Sequence, residues 1–339
     1  MFRKWAPTII KYCLKNRTII SPQFNFRLLR KFISSKLLKT PLAIMVEPTC
    51  MCNIQCPLCT TPHKYMTRTQ GIMEFDTYQK LLDDVKEFAL IFYFNFAGEP
   101  FLNPHLFQMV KEAAKNDIFT MVDTNATLLT YARIQEILDS KLSILVVNID
   151  YAKKESFEQF RKGANFHATM KGIKELCDLK KKKNGTFPLV VAETIVSRAN
   201  EIHLNELYDF AMNTIGVDGV WFKPLCFPLH SKGFRENNEV EVLVDKYLPR
   251  TSSIKRYTYN EGHLQLDHYK NFCEWEYKSV ILWDGRVAAC CFDYDGNYTF
   301  GNIREASFLD IWNSPKYRYY REKLIKPKKL ELCEFCSII

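Results

Sequence analysis

The sequence predicts an α/β fold: an open barrel of about six βα units, followed by a smaller cysteine-rich unit of β-hairpin and helix. Three observations carry this. After residue 40, apolar strand-like runs alternate with amphipathic helical stretches, the pattern of βα units around a parallel sheet. The strand-like runs are almost continuously apolar, as strands covered on both faces are. The alternation fades after residue 226, and a second group of cysteines begins at Cys273. Six units fall short of a closed eight-stranded barrel.

The strands are expected at 42–47 (LAIMVE), 90–96 (LIFYFNF), 118–123 (IFTMVD), 143–149 (SILVVNI), 187–196 (FPLVVAETIV) and 217–225 (VDGVWFKPL). Helices are expected between them, including one long helix from about 155 to 183. The stretch NPHLFQMVKEAAKN opens with Asn103 as N-cap and Pro104 at the first helical position. Residues 229–270 read as irregular, so four segments follow: an arm at 1–40, the barrel at 41–230, a linker at 231–270 and the C-terminal unit at 271–339. Chemistry is expected at the C-terminal ends of the strands, where the βα loops gather.

The 339-residue chain has an ordinary globular composition, 47% hydrophobic and 25% charged. It shows no low-complexity tract, no solenoid repeat and no apolar run long enough to span a bilayer. The N-terminus lacks the apolar core of a signal peptide, so a cytoplasmic protein is expected. In that compartment the twelve cysteines read as metal ligands or buried thiols rather than disulfides. Net charge is +9, with ten Lys or Arg and no acid in residues 1–46. Phe24, Leu28, Leu29, Phe32 and Ile33 fall at roughly helical spacing in this arm. Two readings stay open: a helix closing the core, or one lying on an anionic membrane surface. No nucleic-acid motif is present and charge alone is weak ground for one, so no nucleic-acid partner is expected.

The stretch EPTCMCNIQCPLCTTPH follows the first strand and holds Cys50, Cys52, Cys56 and Cys59. A zinc site normally draws pairs of cysteines from two separate turns. Cys50 and Cys52 lie two apart on an extended chain, and three ligands from one loop, Cys52, Cys56 and Cys59, are easier to arrange. The spacing C-x3-C-x2-C after a first strand resembles the radical S-adenosylmethionine (SAM) superfamily. The resemblance implies a four-iron, four-sulfur cluster on these three cysteines, with one iron left for the amino and carboxylate groups of SAM. It further implies cleavage of SAM to a 5′-deoxyadenosyl radical that abstracts hydrogen from a substrate.

Later segments extend the likeness. FNFAGEP resembles the family's Gly-Gly-Glu-Pro, which implies SAM contacts for Gly98 and Glu99; Ala97 departs from it. DTNATLL resembles Thr-Asn-Gly through Thr124 and Asn125, with Ala126 departing. Asn148, Asp150 and Arg161 match a serine, acid and arginine stretch, with Asn148 in the serine place. The resemblance would bring Thr194, Ser197 and Arg198 near the SAM ribose and carboxylate, and puts Leu58 where an aromatic often packs on adenine in the family. Cys50 is left as a spare structural thiol.

The C-terminal set is Cys273, then Gly285-x4-Cys290-Cys291, then Cys333-x2-Cys336, with a hairpin turn at Asp284-Gly285. Four thiolates suit zinc or a four-iron cluster equally. The segment resembles the SPASM/Twitch domains of radical SAM enzymes, which implies one auxiliary cluster on Cys273, Cys290, Cys333 and Cys336. The chain's end at Ile339 leaves no cysteines for a second. Cys291 is the rival of Cys290.

A cluster with every site filled by thiolates accepts or passes one electron, which suits net oxidation of a small or carbohydrate-like substrate. The short arm leaves little room for a peptide-recognition domain. A peptide-modifying enzyme and a redox-neutral epimerase are the alternatives. For the latter, Cys226 in KPLCFPLH is the candidate hydrogen donor, against the reading of a buried thiol. Lys223 and His230 nearby are candidates for a base or an anion contact. The class implies an electron donor, a reductase or a flavodoxin- or ferredoxin-type protein. A non-enzymatic zinc module is the remaining alternative; Glu99 and Asn125 at strand ends argue against it.

Overall fold

In a computed structural model the described residues are 29–339, apart from 36, 38, 62–64, 186, 237–239, 261–262, 267–272, 326–330, 334–335 and 337–339. Six parallel strands form the partial barrel: β1 Ala43–Val46, β2 Ile91–Phe94, β3 Phe119–Thr124, β4 Ile144–Asn148, β5 Leu189–Val196 and β6 Gly219–Pro224. They are hydrogen-bonded in sequence order. Between them run α1 Phe75–Val85, α2 Leu106–Lys115, α3 Tyr131–Asp139, α4 Lys154–Phe160, α5 Phe166–Lys182 and α6 Leu204–Asp209. On α1 the buried residues Tyr78, Leu81, Leu82 and Val85 recur at helical spacing, so one stripe packs on the sheet.

Two local expectations are corrected. The single helix expected over 155–183 is broken into α4 and α5. Gly163 takes φ +98°, and Asn165 caps α5 by accepting a hydrogen bond from Ala168 N at 2.9 Å. α2 starts at Leu106, later than expected, though Asn103 Oδ1 still accepts from His105 N at 2.8 Å in the manner of a cap; its Nδ2 donates to Pro48 O at 2.8 Å and Met73 O at 3.0 Å. It straps the loop after β1 to the loop before α1.

The interior of the barrel is layered by the two-residue strand period. Tyr93, Met121, Val146 and Val191 form an apolar cluster with Trp221 packed against it. Two residues further along the same faces stand Asn95, Asp123, Asn148, Glu193 and Lys223. A polar ring therefore sits on an apolar plug, toward the C-terminal ends of the strands.

The segment expected to be an irregular linker contains short helices α7 Lys232–Arg235 and α8 Val240–Tyr247, then an antiparallel hairpin of β7 Tyr257–Asn260 and β8 His263–Leu266. The C-terminal unit supplies β9 Lys278–Ile281, β10 Arg286–Ala288, β11 Thr299–Asn302, α9 Phe308–Asn313 and α10 Pro315–Ile325. The β9–β10 turn falls at Asp284–Gly285, with Gly285 at φ +86°. This unit is joined to the barrel by main-chain hydrogen bonds: β9 pairs in parallel with β1, giving a nine-stranded sheet ordered β11-β10-β9-β1-β2-β3-β4-β5-β6.

Most of the N-terminal arm lies outside the described residues. Residues 29–35 are helical, but the face turned to the barrel is not the apolar one. Lys31 is buried and its Nζ donates to Ala89 O at 3.1 Å and Asn116 O at 2.6 Å, while Leu29, Phe32 and Ile33 are 54%, 44% and 47% exposed. Among these residues the apolar stripe does not close the core. No described helix is long and apolar enough to cross a membrane.

Candidate active site

The polar ring opens into a cavity of about 440 Å³ whose wall includes Cys52, Cys56 and Cys59. The loop that carries them leaves β1 and is pinned by main-chain bonds: Glu99 N to Met51 O at 2.7 Å and Gln55 N to Lys162 O at 2.7 Å. Cys59 N closes a turn on Cys56 O at 3.1 Å, and both residues line the cavity. Burial pushes the Cys52 and Cys56 thiols up, and the Cys59 thiol up to about 11. Such thiols stay protonated unless a cation stabilises the thiolate, and a metal centre does so. The donor set therefore fits an iron–sulfur cluster. Cys50 is different: fully buried and not part of the cavity wall, it packs with Met66 and Ala97, and Gly71 N donates to its sulfur at 3.3 Å.

Glu99 is 1% exposed and lines the same cavity. Its Oε1 accepts from Thr124 Oγ1 at 2.6 Å and Phe101 N at 3.1 Å, and its Oε2 from Asn125 N at 2.7 Å. Burial raises its pKa and these donors work against the rise. The expected pair Thr124 and Asn125 thus orients Glu99, and Asn125 Nδ2 also reaches Cys52 Sγ at 3.8 Å. Gly98 is required by space: a Cβ would lie 2.5 Å from Met51 O and 2.6 Å from Thr49 O, and φ is +73°.

Arg161 Nε donates to Asp150 Oδ2 at 2.7 Å, and its Nη1 reaches Asn148 Oδ1 at 3.3 Å. Arg161 and Asn148 line the cavity, while Asp150 is buried behind them. Ser197 and Arg198 are not brought to it. Ser197 Oγ lies 3.1 Å from Tyr151 OH, and Arg198 Nη1 bonds Asp245 at 3.0 Å. Thr194 Oγ1 turns to Ile149 O at 2.6 Å. Leu58 does line the cavity.

Sequence reasoning missed Asn95, Asp123 and Glu193. Asn148 Nδ2 donates to Asp123 Oδ1 at 3.1 Å, and Glu193 pairs with Lys223 Nζ. Burial, then the charge of Glu193, pushes the Asp123 carboxyl up to about 7. Asn95 Oδ1 is buried and accepts no hydrogen bond. The signal was present as one polar residue at the end of each apolar strand.

A further part of the wall carries Cys226, Arg256, Cys291 and Tyr294. Beyond it lie Cys273, Cys290, Cys333 and Cys336, with Cys336 N closing a turn on Cys333 O at 3.1 Å. Burial, then the neighbouring Cys291, Cys273 and Cys333, pushes the Cys336 thiol up. Tyr320 OH is buried among Cys290, Cys333 and Cys273 and makes no hydrogen bond, so a phenol donor faces this thiol group. Buried thiols beside an unused donor fit a second cluster. Cys291 lines the cavity and Cys290 does not.

The comparisons agree with this geometry. The model of the radical SAM superfamily matches residues 46–211, and that of the SPASM iron–sulfur cluster-binding domain matches 273–337. The chain belongs to the radical SAM superfamily and carries a SPASM domain. It is an enzyme of that class: its radical SAM domain binds a four-iron cluster and SAM, and its SPASM domain binds iron–sulfur. A tungsten-containing aldehyde ferredoxin oxidoreductase cofactor-modifying protein of Pyrococcus furiosus is 26% identical over 87% of each chain. An AdoMet-dependent heme synthase of Methanosarcina barkeri is 25% identical over 88% of this chain and 90% of its own. A PqqA peptide cyclase of Rhizobium meliloti is 23% identical over 88% and 80%. Among solved structures, Streptococcus suis SuiB bound to precursor peptide SuiA superposes with TM-score 0.61, at 15% identity, covering 94% of this chain and 79% of that one. These structural likenesses show the fold.

Proposed function

We propose that this enzyme dehydrogenates a small or carbohydrate-like substrate inside the cavity. The observation that carries the reading is the convergence of Cys52, Cys56, Cys59, Glu99 and Arg161 on one cavity beside the C-terminal cysteine group. When bound, the first cluster would supply the electron for reductive cleavage of SAM. Cys52, Cys56 and Cys59 would hold that cluster. Glu99 would accept hydrogen bonds from the SAM amino group, and Arg161 and Asn148 would orient its carboxylate. Gly98 lets the main chain approach, and Thr124, Asn125 and Asp150 position these groups. Cys273, Cys290, Cys333 and Cys336 would hold one auxiliary cluster, the acceptor for the substrate's electron. A flavodoxin- or ferredoxin-type donor would supply the first.

The experiment is SAM cleavage by anaerobically reconstituted, reduced enzyme. Formation of 5′-deoxyadenosine, lost in Cys56→Ala, supports the reading; its absence in the wild type removes it.

The Cys226 thiol on the cavity wall favours a second reading, hydrogen return in a redox-neutral reaction. In D2O such a donor delivers deuterium to product, and Cys226→Ala stops this while SAM cleavage continues. Unchanged product yield in the variant excludes it. The PqqA peptide cyclases among the relatives keep a peptide substrate in view.

A further inference from the structure

Three side-chain cations stand on the cavity wall, and two are matched by acids: Arg161 by Asp150 and Lys223 by Glu193. Arg256 is not. Its Nη1 donates to Cys226 Sγ at 3.0 Å and its Cζ lies 5.5 Å from the centre of the Phe292 ring. Its Nε is buried and donates to nothing. Among the described residues, no carboxylate forms an ion pair with it. A guanidinium withdrawn from water with no counter-charge among the described residues is costly, and the Cys226 thiol, the Tyr257 hydroxyl and the Phe292 ring face offset only part of that cost. Its planar fork of N–H donors matches carboxylate and phosphate oxygens.

We propose that Arg256 binds an anionic oxygen group of the substrate, a carboxylate or a phosphate, and holds it beside Cys226. The proposal rests on the reading of this cavity as the substrate chamber. It narrows the substrate to an acid, anchored at Arg256 and extending toward the SAM-binding residues. The polar ring offers an anion mostly acceptors, Asp123 and Glu193 among them, and its cation Lys223 is already paired with Glu193, which leaves Arg256 as the better anchor for the acid group.

Cys226 makes the site testable without knowing the substrate. Reconstituted holoenzyme, its cluster cysteines occupied, is alkylated anaerobically with iodoacetate or with iodoacetamide, and carboxymethylation or carbamidomethylation of Cys226, respectively, is followed by mass spectrometry. The iodoacetate-to-iodoacetamide rate ratio at Cys226 exceeds that of glutathione by about tenfold or more, the scale of one charge-assisted hydrogen bond. Arg256→Gln lowers the ratio to that of glutathione, and Arg256→Lys retains most of it. Millimolar propionate or inorganic phosphate slows labelling of the wild type only. The better protector distinguishes carboxylate from phosphate. A wild-type ratio equal to that of glutathione overturns the proposal, as do failure of both anions to protect and failure of either reagent to label Cys226. Equal slowing of both reagents by Arg256→Gln shows a guanidinium serving only the thiol, and also overturns it. SAM cleavage measured on the same unlabelled preparations separates this result from failure of the radical reading.

Discussion

Arg161 bonds Asp150 through Nε at 2.7 Å, and the same guanidinium reaches Cys56 Sγ at 3.7 Å. One side chain thus ties the end of β4 to the cysteine loop. Burial opposes its charge, but Asp150 and Cys56 outweigh that and hold the guanidinium charged. Asp150→Asn leaves the cation uncompensated. Stability falls by about 3 kcal/mol or more in urea unfolding, the usual cost of breaking a buried pair from one side. SAM affinity of the iron-loaded protein falls about tenfold, as for one lost charge-assisted contact. Equilibrium dialysis with SAM checks this; wild-type affinity contradicts it.

Glu99 sets a pH dependence. Its folded pKa is raised by burial against the pull of Thr124, Asn125 and Phe101. A raised carboxyl contributes stability below its unfolded pKa and loses it as pH rises through the folded value. On the proposed role of Glu99, SAM binding runs the other way, because the ammonium group would need the carboxylate. Affinity therefore falls with acid from a pH above the ordinary glutamate value of about 4.3. Glu99→Gln abolishes this pH dependence and weakens SAM binding; because Phe101 N and Asn125 N donate to different oxygens, the amide leaves one of them facing a donor, and the protein without cofactors loses about 1–3 kcal/mol. A dialysis series over pH, with urea unfolding of both proteins, measures each part.

Gly98→Ala forces a Cβ against Met51 O and Thr49 O at about 2.5 Å, contacts that real Cβ atoms do not make. The cysteine loop must shift. Iron bound at the first cysteine set falls steeply while far-UV circular dichroism is kept. Full iron retention in Gly98→Ala contradicts the close approach.

Glu47 and Arg68 form a buried ion pair, and Glu47 Oε2 also accepts from Trp283 N at 3.0 Å. Arg68 Nε donates to Tyr294 O at 2.6 Å. The pair fastens the barrel's first strand to the C-terminal unit. Glu47→Gln destabilises by about 3 kcal/mol or more, and the added change Arg68→Met recovers part of it. A double-mutant cycle by urea unfolding reads the coupling; additive losses contradict it.

The chemistry-bearing loops were legible because their residues are close in sequence: Cys52, Cys56 and Cys59 in one loop, Gly98 with Glu99, Thr124 with Asn125. The six strands were legible because both faces are apolar. The ring of Asn95, Asp123 and Glu193 was not. Each is one polar residue ending an apolar run, and only the closing of the barrel brings them together. Arg256 was hidden in a segment without clear periodicity. The pairing of β9 with β1 joins residues far apart in the chain, and a four-residue apolar run names no partner. The break between α4 and α5 was marked by Gly163, but the helical pattern on both sides obscured it.

The most direct test is the iron, sulfide and zinc content of anaerobically purified protein. Two four-iron clusters, one on each cysteine set, give about 8 iron and 8 sulfide per chain, falling to about 4 of each when Cys52, Cys56 and Cys59 are replaced by alanine. About 2 zinc and no sulfide would mean two closed tetrahedral sites and contradict the radical mechanism.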